Sequence, residues 1–358
     1  MTKPTKKIAY IPQLDNLRFF AVLLVIIYHW APGNIVNTIP NGFIGVTFFF
    51  VISGFLISSN LFITRQLFQE RKVTFWHALK IFYYRRSLRI FPLYFLVIFL
   101  VYFLNKNIFN GHFFYYLTYT SNFLIFEEKK WAGGLSHFWS LAVEEQFYLV
   151  WPFIILFLKR RWLKYVLPGI VIASIVFKFI FSRTGYLEVL PVSCFDAFGI
   201  GAILAYRMDL KELPVNSGSG KRWTTFLIVF FITILAGYFK IGFILGVLIS
   251  ILSALIIFFS KEYSGGWASF FLQNRMIRYL GKISYGLYVY HNFVPWLVRC
   301  ISGKETEFPI NVPVLIPAAA IANPYVAMGL HLALLVGIAS LSWFIFEKPL
   351  NDLKVYLK

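Results

Sequence analysis

Ten stretches of this chain approach the ~20 consecutive apolar residues that carry an α-helix across a bilayer, and nothing else in the sequence constrains its fold so tightly. They run over 14–30, 42–62, 88–104, 138–158, 162–181, 189–206, 223–239, 241–260, 283–299 and 326–347. Apolar residues, Tyr included, make up 59% of the 358 residues and charged ones only 14%, where soluble domains carry about 25% charged residues. A water-soluble globule lacks the interior to hide 42 Phe, 21 Tyr and 10 Trp, and disorder requires the opposite bias. The expected fold is an all-α polytopic membrane helix bundle of about ten transmembrane helices, forming one domain over 1–358. The first span follows Lys3, Lys6 and Lys7 and contains Asp15 and Arg18, so it is not expected to be a cleavable signal peptide. The stretch 216–220 reads as a loop, and 309–324 as an outer loop or re-entrant piece. Cys194 and Cys300 fit no metal spacing and read as apolar filling.

A net charge of +19 raises nucleic acid as a partner until the charge is placed on the topology. With the N-terminus inside and ten spans, 25 Lys and Arg fall in inner segments and seven in outer ones. That split is the positive-inside rule. It puts both termini in the cytoplasm and assigns the basic excess to orientation and contact with anionic lipid. Nucleic acid is not needed to explain it.

Ionisable residues within spans are costly and mark function by default. In the first span Arg18 and His29 are eleven residues apart, about 1100° of helical turn, so they share a face with ~16 Å between them along the axis. Asp15 lies one turn before Arg18, placed to pair with it. The alternative reading has Asp15 and Arg18 snorkelling to the interface and His29 closing the helix beside Trp30. In the second span Ser53 follows a run of phenylalanines, and Gly42, Gly45 and Gly54 permit close approach. Arg85, Arg86 and Arg89, spaced i,i+3 and i,i+4, can converge on one anion, for which the planar guanidinium fork suits phosphate; lipid headgroups are the competing ligand. The fourth span opens on His137, Phe138, Trp139 and Ser140 and continues through Glu144, Glu145, Gln146 and Tyr148. Adjacent glutamates point 100° apart, so only one can face a given partner. The topology puts them at the depth of His29, where a carboxylate can orient an imidazole acting as general base. Asp196, His291 and Glu347 are further intramembrane candidates.

In order along the chain, these segments resemble the acyltransferase 3 family of integral-membrane acyltransferases, which O-acylate cell-surface glycans and other acceptors. The likeness runs from Leu14 to Pro349. It rests on Leu14-Asp15-x-Leu17-Arg18 with an Arg-x10-His spacing to His29, and on Gly45-Val46-x-Phe48-Phe49-Phe50 leading to Ser53-Gly54. It continues through Arg85-Arg86-x-x-Arg89-Ile90-x-Pro92-x-Tyr94, Trp139-Ser140-Leu141-x-Val143-Glu144-Glu145-Gln146-Phe147-Tyr148, Ile283-Ser284-Tyr285-Gly286-Leu287-Tyr288-x-x-His291 and Phe346-Glu347-Lys348-Pro349. Asn16 and Phe19 stand where the family commonly has Gly, and Thr47 where it commonly has Asp, so no role is carried to those positions. The SGNH-type domain fused to some relatives is not expected here.

The resemblance implies a bacterial plasma-membrane enzyme that moves an acyl group, acetyl foremost, from cytoplasmic acyl-CoA to a hydroxyl of a glycan or lipid-linked sugar outside. It implies donor phosphates on Arg85, Arg86 and Arg89, and a donor channel lined by Asp15 and Arg18. Catalysis falls to His29 with Glu144 or Glu145, and substrate contacts to Ser53, Trp139, Tyr148, Tyr285 and His291. Acyl-CoA is then a substrate, with no tightly bound cofactor and no metal. General-base attack and a covalent acyl-histidine relay both fit. A proton-coupled transporter also uses buried Asp, Glu and His, but the sequence lacks the paired halves such proteins often show.

Overall fold

The computed structural model describes residues 10–31, 39–70, 72–210, 219–238, 242–262, 267–303, 314–317 and 321–356. The N-terminal lysines, most of the 216–220 stretch, half of the 309–324 stretch, and the junction at Lys240 lie outside the described residues. Within them the chain is helical, with no strand.

The long helices are α1 (Pro12–Trp30), α2 (Asn41–Gln69) and α3 (Phe75–Leu104), followed by the short α4 (Phe113–Leu117) and α5 (Ser121–Glu128). Next come α6 (Phe138–Phe157), α7 (Arg160–Ile180), α8 (Pro191–Asp209), α9 (Ser219–Tyr238), α10 (Gly242–Glu262) and α11 (Trp267–Gln273). The C-terminal third holds α12 (Arg275–Lys282), α13 (Ser284–Tyr290), α14 (Val294–Ile301), α15 (Pro324–Ser342) and, after a π-helical turn at Trp343–Glu347, α16 (Lys348–Asp352). Among the described residues, five helical stretches, 41–69, 75–104, 133–157, 160–180 and 324–352, are long and apolar enough to cross a membrane. Two shorter apolar stretches lie at Phe226–Leu235 and Ile244–Ser260. Polar residues at both ends of α1, from Asp15 to His29, keep it below that mark.

One sequence expectation needs correction. The ninth span, read as continuous over 283–299, is two helices: it begins at a break at Ile283 that separates α12 from α13, and it breaks again at His291–Phe293 between α13 and α14. The second break has a local cause. Pro295 sits in the first turn of α14 and has no N–H to give the His291 carbonyl four residues back, so the helical ladder is interrupted there.

Helices α1, α2 and α8 form the centre, and glycines set their spacing. A Cβ on Gly54 of α2 would lie 2.1 Å from the carbonyl oxygen of Phe198, and one on Gly201 of α8 would lie 2.2 Å from that of Val51. Backbones that close exclude any side chain at the crossing, which gains dispersion contact where lipid offers no hydrophobic drive. Gly281 does the same for α12 against α1, its Cβ position 1.7 Å from the Asp15 carbonyl oxygen. Gly201→Ala should therefore force α2 and α8 apart at a cost of about 1–3 kcal/mol, read as a lower thermal unfolding midpoint in detergent. An unchanged midpoint would contradict the contact.

The periphery is apolar and exposed, as a surface in lipid must be. Phe103 on α3, Ile172, Phe179 and Ile180 on α7, Phe231 on α9, and Phe344 and Ile345 beyond α15 all project outward. The polar residues turn inward.

Candidate active site

Helix α1 presents polar groups at its two ends, and each end borders its own cavity. Near the start, Arg18 Nη1 lies 3.3 Å from Asp15 Oδ1, the i,i+3 pair that the sequence spacing gave. Asp15 also accepts a hydrogen bond from the Tyr10 hydroxyl, which leaves it behind Arg18 rather than on the cavity wall.

The first cavity is lined by Arg18, Ser53, Arg86, Arg89, Glu144, Tyr148, Ser284, Tyr285 and Tyr288, among apolar neighbours that include Phe49 and Leu56. Three guanidinium groups from two helices thus share one chamber with one carboxylate. Glu144 accepts a hydrogen bond from Ser53, and Tyr148 donates to Ser53 Oγ at 3.4 Å. The Arg86 guanidinium lies over the Tyr148 ring, 5.2 Å from its centroid, a cation–π arrangement. Tyr285 donates to the Ile90 carbonyl at 2.8 Å, fastening α13 to α3 beside the arginines. Arg85 is exposed and is not on this wall; Arg18 takes the place expected for it. Just past α16, Lys354 is pulled down to about 7 by burial and by the positive charges of Arg89, Arg86 and Arg85. The C-terminal segment therefore faces the same basic cluster, where an anion would offset the repulsion.

The second cavity is larger, about 1130 Å³, and meets His29, His137, Thr47, Trp131, Trp139, Glu188 and the Lys178–Asp196 pair. Lys178 Nζ and Asp196 Oδ2 are 2.5 Å apart, so the intramembrane Asp196 is neutralised by a lysine of the neighbouring helix. Val46, Phe50 and Tyr288 line both cavities. The chambers stand wall to wall.

At the His29 end three imidazoles meet. The ring centroid of His291 is 4.9 Å from that of His29 and 4.9 Å from that of His137. His137 Nε2 lies 3.1 Å from the Val289 carbonyl oxygen, and its Nδ1 lies 3.0 Å from Asn292 Nδ2. The Tyr288 hydroxyl donates to the His137 carbonyl at 3.0 Å and lies 2.5 Å from Ser140 Oγ.

The expected pairing of His29 with Glu144 or Glu145 is not what the structure places there. Glu144 belongs to the arginine cavity, and Glu145 Oε1 is buried with no hydrogen-bond partner among the described residues. The reason is depth. Glu144 is seven residues into α6 from His137, about 10 Å along the axis, so His137 and not the glutamates reaches the level of His29. His137 is the residue just before α6, where the span boundary at 138 puts it, and nothing in its own stretch tells which imidazoles of other segments it meets. Gln146 is structural: its Nε2 donates to the Tyr119 carbonyl at 2.8 Å and to Asn122 Oδ1 at 2.9 Å. Cys194 and Cys300 are buried and not joined in a disulfide. No cluster of metal-ligating residues occurs among the described residues.

Chemically, the arrangement offers an anion-binding chamber, a neighbouring chamber with imidazoles, and an aromatic partition between them. A family model described as "Acyltransferase domain" matches residues 11–345. A protein named as a putative O-acetyltransferase of Staphylococcus aureus (strain COL) is 31% identical over 331 residues, 80% of this chain and 51% of that protein. The putative peptidoglycan O-acetyltransferase YrhL of Bacillus subtilis is 29% identical over 98% of this chain and 56% of its own length. The peptidoglycan O-acetyltransferase OatA of Listeria monocytogenes is 29% identical over 79% of this chain and 49% of its own. The chain thus spans about half the length of the curated relatives it matches. No solved structure matches it.

Proposed function

The chain belongs to the acyltransferase 3 family, and from that premise we propose that it is a membrane O-acetyltransferase carrying acetyl from cytoplasmic acetyl-CoA to a hydroxyl of a glycan on the other side. The observation that carries this reading is the pair of back-to-back cavities, one with Arg18, Arg86 and Arg89, the other with His29. Acetyl-CoA is polyanionic at one end and reactive at the other. Its phosphates suit the guanidinium chamber, and its thioester then points toward the partition at Phe50 and Tyr288. The acceptor occupies the wider chamber, where Trp131 and Trp139 offer flat apolar faces to a sugar. His29 takes the hydroxyl proton, the oxygen attacks the thioester carbonyl, and the carbon–sulfur bond breaks. The partner class is supported by relatives named for peptidoglycan.

The proposal assigns sides. About ten helical spans with both termini cytoplasmic put the arginine chamber at the inner face, in agreement with 25 inner against seven outer Lys and Arg. In vesicles of known orientation, acetyl-CoA supplied to the face carrying Arg65 and Lys261 should release CoA thiol when peptidoglycan fragments are present. Acetyl-CoA supplied to the Lys129 face should not. Turnover from the Lys129 face alone would reverse the assignment, and no turnover from either face would sink the acetyl-CoA reading. The transporter alternative explains neither the guanidinium chamber nor the family match.

A further inference from the structure

A histidine acting as a base needs its ring held in one orientation and one tautomer, and neither glutamate does this for His29. The unexplained group nearest to it is His291. Its ring is completely buried, and Nδ1 lies 2.5 Å from the Tyr288 carbonyl oxygen. A carbonyl can only accept. Nδ1 therefore carries the proton, and Nε2 presents a bare lone pair. That Nε2 is buried with no partner among the described residues. A buried acceptor left unmatched is costly and calls for an explanation.

Two imidazoles face it. His137 cannot supply the donor, because its Nε2–H is committed to the Val289 carbonyl and its Nδ1 accepts from Asn292. The hydroxyl of Tyr288 is engaged with the His137 carbonyl and Ser140. His29 remains, with no hydrogen bond of its own among the described residues. The backbone supports the match: Trp30 Nε1, one residue past His29, donates to the His291 carbonyl at 3.1 Å. This bond fastens the break between α13 and α14 to the end of α1.

We propose that His291 is the positioning residue of the reaction, accepting a hydrogen bond at Nε2 from a ring N–H of His29. The inference rests on His29 being the base. When the acceptor hydroxyl gives its proton to the free nitrogen of His29, a carbon–oxygen bond forms and the carbon–sulfur bond of the thioester breaks. The His29 imidazolium, held by His291, then returns that proton to the departing thiolate. An imidazole thus does here what a carboxylate does in a hydrolase triad, without placing a second buried charge beside the site.

The test uses purified full-length protein in vesicles, with acetyl-CoA as donor and peptidoglycan fragments as acceptor. His291→Leu should lower kcat by about 10²-fold, the lower end of what a positioned base contributes, with KM for acetyl-CoA unchanged. His291→Gln keeps an accepting oxygen and should recover to within about tenfold of the parent rate. Because residues acting as a unit are not additive, the His29→Ala/His291→Leu protein should be no slower than His29→Ala alone. Equal losses in the Gln and Leu proteins, a double variant slower by the product of both single losses, or full activity in His291→Leu would each overturn the proposal. Full activity in His29→Ala would instead refute the base itself, a separate result that needs no change at His291.

Discussion

His29→Ala should abolish most acetyl transfer, by ~10²–10⁴-fold, the usual contribution of a positioned general base, while acetyl-CoA affinity stays within about twofold. The two readouts separate because His29 stands at one end of α1 and the arginine chamber at the other, where Arg18 meets Arg86 and Arg89 of α3. Eleven residues divide Arg18 from His29, ~16 Å of helix, and the two groups line different cavities. Transfer kinetics paired with direct donor binding on the same protein checks both halves. Near-normal transfer would leave His29 as a helix-end residue beside Trp30 and make His291 the next candidate base.

The second large effect belongs to the arginine chamber, where the proposed reaction puts the donor. Arg89→Ala and Arg86→Ala should each weaken acetyl-CoA binding by about 10- to 100-fold, the equivalent of one charge-assisted hydrogen bond. The two substitutions should differ in stability. Arg86 stacks over Tyr148 and acts electrostatically on Glu144, so removing it strips a buried carboxylate of a neighbouring cation. A carboxylate held out of water is costlier to keep charged once the nearby cation is gone. Adding Glu144→Gln to Arg86→Ala should therefore restore the unfolding midpoint without restoring donor affinity. A double variant that regains donor binding would show Arg86 to be a partner of Glu144 alone.

The membrane class and most helix positions were legible because both follow from runs of apolar residues, which the bilayer makes obligatory. Asp15 with Arg18, and Arg86 with Arg89, were legible because their spacing lies on single helices, where geometry fixes who is near whom. What escaped was the pairing between helices. Glu144 and His29 are on different helices, and nothing in either stretch reports how α1 and α6 are offset along their axes. The same applies to Lys178 and Asp196, each visible as an intramembrane charge and neither announcing the other. The break at His291 was hidden for a different reason: α13 and α14 are apolar on both sides of it, so hydropathy runs straight through.

The partition of Val46, Phe50 and Tyr288 has an electrical consequence. Two chambers meeting inside a bilayer amount to a pore with a single closed door, and a living cell spends its ion gradients through any door left ajar. On the proposed reaction this layer must pass a two-carbon group yet refuse a hydrated cation. Its construction suits that demand. Phe50 is stacked on Phe198, with centroids 4.7 Å apart, and stands edge-on to Trp139, while Tyr288 is held through its hydroxyl at His137 and Ser140. On that reaction, the side chains that bring donor and acceptor together would also be the insulation between two compartments at different voltage.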